Sequence, residues 1–455
     1  MLLGVKPATR SDVDGSGEGA IEMSDPAWPT TGDFLNGLHF EFSLLISYLA
    51  YSAGVAALLH ALPERHRKQT LLVASLVFLA VFFAPKLSLF LLVFSSLVHG
   101  VSVRFARAQR LRFLLAAGFL LTLFLPIGFG GVMVEMGPRG PVDHARGYVA
   151  IFLLITYFKK LVYFLYELRS RRIDPADLSD VLVYFLSLAF LMGKAPVVSY
   201  SHFHASHLAE SGASSARSGL RTIAIATLHL LARVAFVKYV VDSRLDEVFA
   251  LSAFAETRGS IVLALVLNYL AFYALRFGTE QLSVGVARLH GFAIRDNYEN
   301  PLAARDYADL WRRWNVHFRE MMVSMFYMPI VLRLSRSHPE RRALNVSAAC
   351  AVTFLCQGLF GALLYGLVHP PLGFEGWLQL GELRLLYEAG QIPLVIGSLL
   401  LLDKRWRGGG RALWFWTGVG IAITFFVRSL LLVLLRSANG IGVSEAFDLY
   451  SSLLF

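Results

Sequence analysis

Long apolar segments recur along the chain from about residue 42 to residue 435, separated by short polar and basic connections. A helix needs about 20 predominantly apolar residues to cross the hydrocarbon core of a bilayer, and by this measure the pattern predicts about eleven transmembrane helices. Several of these segments are short. The predicted spans are residues 42–61, 70–84, 87–101, 113–130, 148–166, 180–196, 219–241, 259–275, 346–368, 391–402 and 412–435.

The stretch from residue 70 to residue 101 fits either one overlong helix or two short ones. Pro85 interrupts it, and basic clusters flank it at 65–68 and 104–112. Lys and Arg accumulate in cytoplasmic loops, so both clusters are cytoplasmic only if the chain crosses the membrane twice between them. We therefore predict two helices here. The orientation of the chain after residue 276 stays open.

Composition agrees with an integral membrane protein. The chain has 455 residues, of which 56% are hydrophobic and 16% are charged, and its mean hydropathy is +0.57. Ordinary soluble domains are about 25% charged. The net charge of +10 is then explained by basic cytoplasmic loops rather than by nucleic-acid binding, and we find no nucleic-acid-binding motif.

The chain divides into a polar tail and one membrane domain. Residues 1–35 are polar and rich in Gly, Ser and Asp, which predicts a disordered tail. Residues 36–455 are predicted to form a single integral membrane domain, because no long polar block interrupts the apolar segments. Cys350 and Cys356 share one apolar segment with no disulfide or zinc-ligand pattern, so we expect them to be packing residues.

One segment, residues 277–342, is too polar to face lipid. It contains the run Trp311-Arg312-Arg313-Trp314, followed by Asn315. Ionisable groups at membrane depth need partners or water, so they indicate a functional site. The apolar piece 321–334 predicts interfacial or re-entrant helices around a central channel. The alternative is an amphipathic cytoplasmic loop anchored to the surface by tryptophan and arginine.

The run at 311–315 resembles the signature of the membrane-bound O-acyltransferase family, in which Trp-Arg-Arg-Trp is followed by His or Asn. Three further segments are similar to family motifs: 291–301 to Gly-Phe…Asn-Phe…Pro, 236–250 to Phe-Lys-Lys…Val-Phe-Ala, and 193–201 to Ala-Gly-Pro-Ile…Arg. Together they cover residues 150–370 in the family's order. The bacterial branch typified by alginate O-acetyltransferase and the teichoic-acid D-alanyl transferase is the most similar one.

The sequence departs from that branch at two places. Residues 274–280 replace the usual Asp-Phe-Ser-Gly-Tyr-Ser-Asp run, and no Trp-His-Gly surrounds a second histidine. Two alignments compete for that histidine. Residues 357–361 keep Gly-Leu-aromatic but lack a histidine, whereas residues 366–369 end in His369 and Pro370 replaces the following glycine. We favour His369, because it ends a long apolar segment where an imidazole can meet water and the acyl donor.

The resemblance implies transfer of an acyl group, acetyl or another short one, from a cytoplasmic thioester donor to a hydroxyl of an exported polysaccharide or envelope polymer. The expected donor is acyl-CoA, with acetyl-CoA as the first choice, and the expected location is a bacterial inner membrane. His369 would act as general base, since neutral imidazole has a suitable pKa. Asn315 would stabilise the oxyanion or orient the donor.

The resemblance also implies residues that bind the donor. Trp311, Arg312, Arg313 and Trp314 are expected to shape the cytoplasmic mouth of the channel, with guanidinium groups suited to a phosphorylated pantetheine. Lys238 matches a basic position of the family. The expected partners are the lipid bilayer, the acyl donor, a saccharide or lipid acceptor, and an extracytoplasmic acyltransferase protein.

Other functions stay open. A catalytically silent relative would serve as an acyl-relay channel or as a scaffold for an extracytoplasmic acyltransferase, and a further relative would move a longer acyl chain to a lipid or protein. A transporter should show internal repeats, and the sequence has none. We interpret His202, His204 and His207 as part of a solvated polar connection rather than a metal site, and His317 as structural. No metal is predicted.

Overall fold

The computed structural model describes residues 31–105, 110–124, 141–173, 177–190, 196–209, 213–240, 258–368, 385 and 387–399. Within these ranges the chain is predominantly helical and has no β-strand, which confirms the all-α prediction. The predicted polar tail lies outside the described residues, except for residues 31–35, which are helical.

The described helices follow one another closely along the chain. They are α1 (Thr31–Ala61), α2 (Glu64–Phe82), α3 (Pro85–Phe105), α4 (Arg110–Phe124), α5 (Pro141–Arg169), α6 (Leu178–Leu186), α7 (Tyr200–Ala209), α8 (Ala213–Val240), α9 (Arg258–Leu289), α10 (Tyr307–Arg313), α11 (Val316–Met322), α12 (Met328–Ser337), α13 (Arg342–Val368) and α14 (387–397). Short 3-10 turns cover Leu188–Phe190, Pro301–Ala303 and Pro339–Arg341, and a π-helical turn covers Val323–Tyr327.

The chain breaks near Pro85 as the sequence predicts. Helix α2 ends at Phe82 and α3 begins at Pro85, which confirms two separate helices between residues 64 and 105. Proline fits the first position of a helix, because the N–H that it lacks would have no partner there. The two helices pack side by side, and the hydroxyl of Ser88 donates to the carbonyl oxygen of Leu76 at 3.0 Å.

Two described segments are long and apolar enough to cross a membrane by length and composition, Pro85–Phe105 and Pro339–Leu363. Shorter apolar helices cover Leu45–Ala61 and Arg112–Phe124. Large side chains on these helices, such as Leu89 and Leu115, point outward and are exposed. An apolar outer surface of this kind supports a membrane protein, whereas the count of about eleven spans stays a prediction.

The segment predicted as a span over 180–196 differs from that prediction. Its described part is the nine-residue helix α6 followed by the 3-10 turn Leu188–Phe190. A helix of this length is too short to cross a bilayer. Val181 to Phe190 are buried on all sides, so the segment is apolar because it lies in the protein core and not because it faces lipid.

The segment from residue 200 to residue 209 also differs from the prediction, because it is the helix α7 rather than an irregular connection. The hydroxyl of Ser199 accepts a hydrogen bond from the backbone N–H of His202 at 3.1 Å, which caps the first turn. The backbone N–H of Tyr200 and the hydroxyl of Ser201 both donate to the buried carboxylate of Glu167 on α5. These bonds fix α7 against α5.

The largest buried cluster joins α1 to α9 and is rich in aromatic rings. One lysine lies inside it: Lys160 on α5 is 1% exposed. Its ammonium group donates to the carbonyl oxygen of Tyr184 at 2.5 Å and lies 4.8 Å from the ring centre of Phe190. A carbonyl dipole and aromatic faces are the groups that compensate a buried cation.

Helices α8 and α9 pack against each other through glycines. A Cβ atom added at Gly219 would lie 2.8 Å from the carbonyl oxygen of Gly285, and one added at Gly278 would lie 2.5 Å from the side chain of Leu230. Small residues let two helix backbones approach closely, as they do in membrane helix pairs. This pair carries the loop and the short helices that follow α9.

Candidate functional site

The Trp-Arg-Arg-Trp run lies on α10 and at its C-terminal end. Asp306 caps this helix, since its carboxylate accepts the backbone N–H of Asp309 at 2.8 Å. The carboxylate of Asp309 in turn accepts the backbone N–H of Arg305 at 3.1 Å. It also pairs with Arg312 at 3.2 Å and with Arg313 at 3.0 Å. One buried carboxylate therefore holds both arginines of the run.

The two arginines differ in how much of each side chain is exposed. Arg313 is anchored twice more, because its guanidinium donates to the carbonyl oxygen of Glu299 at 3.2 Å and its own carbonyl accepts the N–H of Glu299 at 2.9 Å. Its side chain is 31% exposed, whereas that of Arg312 is 65% exposed. Arg313 holds the turn together, and Arg312 presents its guanidinium to the outside.

The two tryptophans pack against neighbouring helices. The ring of Trp314 lies 6.2 Å from Tyr269, 5.9 Å from Tyr273 and 5.1 Å from Tyr298, measured between ring centres. The ring of Trp311 lies 5.2 Å from Phe354 on α13. These aromatic contacts tie α10 to α9 and to α13. The predicted contact of both tryptophans with substrate stays a prediction.

Asn315 forms the joint between α10 and α11. Its backbone is left-handed, with φ 46° and ψ 58°, a conformation that asparagine adopts more readily than most residues. Its carbonyl oxygen accepts the N–H of Arg319 at 2.9 Å and starts α11. Its half-buried side chain does not cap that helix. Among the residues that the structure describes, the Asn315 amide forms no hydrogen bond, so it is available to a ligand.

Beneath this joint lies a buried polar network centred on Asn297, which is 0% exposed. The side-chain N–H of Asn297 donates to the carboxylate of Glu280 at 2.5 Å, and its oxygen accepts the backbone N–H of His317 at 3.2 Å. Its backbone N–H donates to the side chain of Gln281 at 2.9 Å, and its carbonyl accepts the N–H of Val316 at 2.8 Å. Asn297 thus joins α9 to the start of α11.

The carboxylate of Glu280 is compensated by three groups. Besides Asn297, it pairs with Arg276 at 2.8 Å and accepts the hydroxyl of Tyr298 at 2.9 Å. Residues 274–280 are the place where the sequence departs from the family pattern. Sequence reasoning missed the role of Glu280, although a carboxylate at a position of α9 that faces the core is a detectable signal.

His317 has a structural environment, in line with the interpretation from its sequence position. Burial lowers the pKa of His317 to about 4, so its imidazole is neutral at physiological pH. Its Nε2 lies 3.0 Å from the carbonyl oxygen of Arg295. That acceptor assigns the ring proton to Nε2, so His317 donates to the backbone.

The two candidate positions for the second histidine fall in different parts of the chain. His369 lies outside the described residues. The competing alignment, residues 357–361, lies on α13, where the side-chain N–H of Gln357 donates to the carboxylate of Glu388 at 2.9 Å. A Cβ atom at Gly358 would lie 3.4 Å from the Cβ and Cγ atoms of Glu388, so this stretch packs against the Glu388 side chain.

Glu388 is a buried carboxylate that sequence reasoning missed, and it is 0% exposed. The amide of Gln391 donates to it at 2.5 Å, and the oxygen of that amide accepts the hydroxyl of Tyr307 at 3.0 Å. Tyr307 is the first residue of α10. These hydrogen bonds therefore connect α13, through α14, to α10, the helix that carries Trp-Arg-Arg-Trp.

The remaining predicted residues lie on other helices. Lys238 belongs to the last turn of α8, and its side chain lies outside the described part of the structure. On α7, His204 lies 3.4 Å from the carboxylate of Asp180, which Lys68 also contacts at 2.5 Å. The described residues contain no group of three or more histidine, cysteine, aspartate or glutamate side chains placed to hold a metal ion.

Comparison with known proteins adds no assignment. No protein-family model matches this chain, and no curated protein matches its sequence. The resemblance to membrane-bound O-acyltransferases therefore rests on the motifs at 193–201, 236–250, 291–301 and 311–315.

Proposed function

We propose that this protein is a membrane-bound O-acyltransferase that moves a short acyl group from a cytoplasmic thioester donor to a hydroxyl of an exported polysaccharide or envelope polymer. The observation that carries the proposal is the joint at Asn315. The Trp-Arg-Arg-Trp run is held by Asp309 and by aromatic contacts, and it presents an amide without a hydrogen bond among the described residues. An amide donor on a backbone position that is held in this way suits oxyanion stabilisation.

Arg312 is the group best placed to bind the donor. A phosphorylated pantetheine carries phosphate oxygens, and guanidinium binds these through charge-assisted and often bidentate hydrogen bonds. Among the described residues, Asp309 at 3.2 Å is the one ion-pair partner of the exposed side chain of Arg312. The Arg312 guanidinium is solvated and Arg313 stays paired with Asp309, so phosphate can replace or share the Arg312 contact at small cost. Arg313 contributes indirectly, because its bonds to Glu299 hold the C-terminal end of α10 in place.

The proposed reaction needs a general base, an electrophilic carbonyl carbon and a hydrogen-bond donor to the oxyanion. The acceptor hydroxyl loses its proton to the imidazole of His369 as its oxygen attacks the thioester carbonyl carbon. The carbonyl oxygen becomes an oxyanion, which the amide of Asn315 stabilises. The C–S bond then breaks, the thiol sulfur takes the proton from the imidazolium, and the products are an ester and a free thiol.

A second function is favoured by the surroundings of Glu388. In the competing alignment, residues 357–361 contain no imidazole, and the neighbouring side chain is a buried carboxylate bonded to Gln357 and Gln391. If that alignment is the right one, the chain has no histidine base at this position. It would then act as an acyl-relay channel, or as a scaffold for an extracytoplasmic acyltransferase.

The test is the content of alkali-labile acyl ester on envelope polymers and lipids of cells that lack the gene. These cells receive the wild type, His369→Ala, or the control His66→Ala, whose imidazole lies on the exposed start of α2. We expect the wild type and His66→Ala to restore the ester and His369→Ala to fail at equal membrane abundance. Restoration by His369→Ala would refute the histidine base and favour the relay or scaffold. Ester on lipid alone would indicate a lipid acceptor.

A further inference from the structure

The surface at the turn between α12 and α13 is strongly basic. Four arginines and one glutamate lie between residues 333 and 342, a net charge of +3 with histidine neutral. The four residues are Arg333, Arg336, Arg341 and Arg342, all of them exposed, and we call them the arginine band. A surface of this charge attracts anions.

The described part of the protein neutralises little of this charge. Glu340 is 63% exposed and lies 3.4 Å from Arg341 and 3.8 Å from His338. Within the residues that the structure describes, no carboxylate pairs with Arg333 or Arg336. These two guanidinium groups are three residues apart on α12, so they lie on neighbouring positions of the same helix face.

Exposed apolar side chains lie on both sides of the arginine band along the chain. Met328, the first residue of α12, and Leu332, one turn before Arg336, are 41% and 49% exposed. Leu344, near the start of α13, is 60% exposed. No residue of α12 is buried, and the helix is amphipathic. A basic surface bordered by exposed apolar residues is the pattern of a helix at a membrane interface.

The arginine band also overlaps the start of one of the two membrane-length segments, Pro339–Leu363. A hydrogen bond closes the turn, since the side-chain N–H of Asn345 donates to the carbonyl oxygen of His338 at 2.8 Å. The arginines therefore lie at the end of a candidate span, at the depth where phosphate headgroups are found. From the charge, the apolar borders and this position, we infer that the arginine band binds the phosphate headgroups of anionic membrane lipids.

This inference goes beyond the proposed acyl transfer and does not depend on it. The test uses the purified full-length protein in vesicles of phosphatidylcholine with spin-labelled phosphatidylglycerol or spin-labelled phosphatidylcholine. The motionally restricted fraction of each label gives the relative affinity of the protein for the two lipids. The wild type is expected to prefer phosphatidylglycerol. Each arginine near an anionic surface contributes about a five-fold preference.

The decisive comparison is between two double variants that remove the same charge. Arg333→Gln/Arg336→Gln should lower the preference for phosphatidylglycerol by about 25-fold, the product of two five-fold contributions. The control Arg295→Gln/Arg305→Gln changes two exposed arginines between α9 and α10, away from the end of any predicted span, and should leave the preference intact. Arg333→Lys/Arg336→Lys should retain most of it, because the charge remains. Equal loss in the control, or no loss in the test variant, would overturn the proposal.

A final arm separates lipid from soluble phosphate. Millimolar glycerol phosphate, added at constant ionic strength, should not displace spin-labelled phosphatidylglycerol, because the lipid also buries acyl chains against the apolar borders. Full displacement would mean that the arginine band binds a soluble phosphate compound, and the assignment to lipid would be wrong. None of these measurements involves acyl transfer, so they remain informative if the proposed enzyme activity fails.

Discussion

Replacement of Asn297 tests the buried network beneath the Asn315 joint. Asn297→Ala removes the bond to Glu280, at 2.5 Å, and the bond from the backbone N–H of His317, at 3.2 Å. Each buried group left without its partner costs about 1–3 kcal/mol, so we expect a loss of about 2–6 kcal/mol. That loss is a large fraction of the 5–15 kcal/mol that ordinarily stabilises a folded protein domain.

Asn297→Asp should destabilise the protein more than the alanine variant. The new carboxylate would lie beside Glu280, and like charges at this distance repel strongly in a buried site. The double variant Asn297→Asp/Glu280→Gln restores a donor and an acceptor in exchanged positions. We expect it to recover at least half of the stability that Asn297→Asp loses, although Arg276 then loses its ion pair.

The assay is thermal unfolding in detergent, followed with a fluorophore that reacts with thiols. The described cysteines suit it, since Cys350 is buried and Cys356 is half-buried in the folded protein. Unfolding exposes both. If the effects of Asn297→Asp and Glu280→Gln are simply additive in the double variant, the two side chains do not interact, and the proposed network is wrong.

Three more predictions concern packing, pH and the two arginines. Gly219→Val should lower the unfolding temperature, because a Cβ there would lie 2.8 Å from a backbone carbonyl of the facing helix, whereas Gly118→Val, with nothing within 4 Å, should be nearly neutral. Burial depresses the pKa of His317 from 6.5 to about 4, so as the pH falls the unfolded protein binds a proton at this residue before the folded protein does. The free energy of unfolding should therefore fall by about 3 kcal/mol as the pH is lowered from about 6.5 to about 4. His317→Gln should remove this dependence on pH, as measured by unfolding at each pH. Arg312→Ala should raise the KM for the acyl donor at unchanged stability, and Arg313→Ala should lower the unfolding temperature; the reverse pattern would refute their assignment.

The helical class and several helix boundaries could be predicted from the sequence because they depend on local signals. Pro85 ends one helix pattern and begins another, as the structure confirms. The segment 180–196 could not be predicted correctly, since an apolar run has the same composition whether it faces lipid or protein. The helix over residues 200–209 was hard to predict for another reason. Ser199 caps this helix, but Ser-rich stretches are also typical of loops, so the sequence fits both structures.

The candidate site was found by its sequence motif, but the contacts that hold it were not. Asn297 and Glu280 are 17 residues apart, and Gln357 and Glu388 are 31 residues apart. Helical periodicity predicts which face of each helix is buried, but it does not say which partner that face meets. The ion pairs of Asp309 are easier to predict from sequence, because its partners Arg312 and Arg313 lie three and four residues away on one helix.

The measurement that tests the central claim most directly is release of free thiol from acetyl-CoA by the purified protein in vesicles with a polysaccharide acceptor. Asn315→Gly keeps the left-handed backbone and removes the amide. Asn300→Gly is its matched control, because Asn300 is also left-handed, with φ 51°. The account predicts acceptor-dependent release that falls by about 10²–10³ in Asn315→Gly and is nearly unchanged in Asn300→Gly. Release that is equal in both variants, or absent from the wild type, would contradict it.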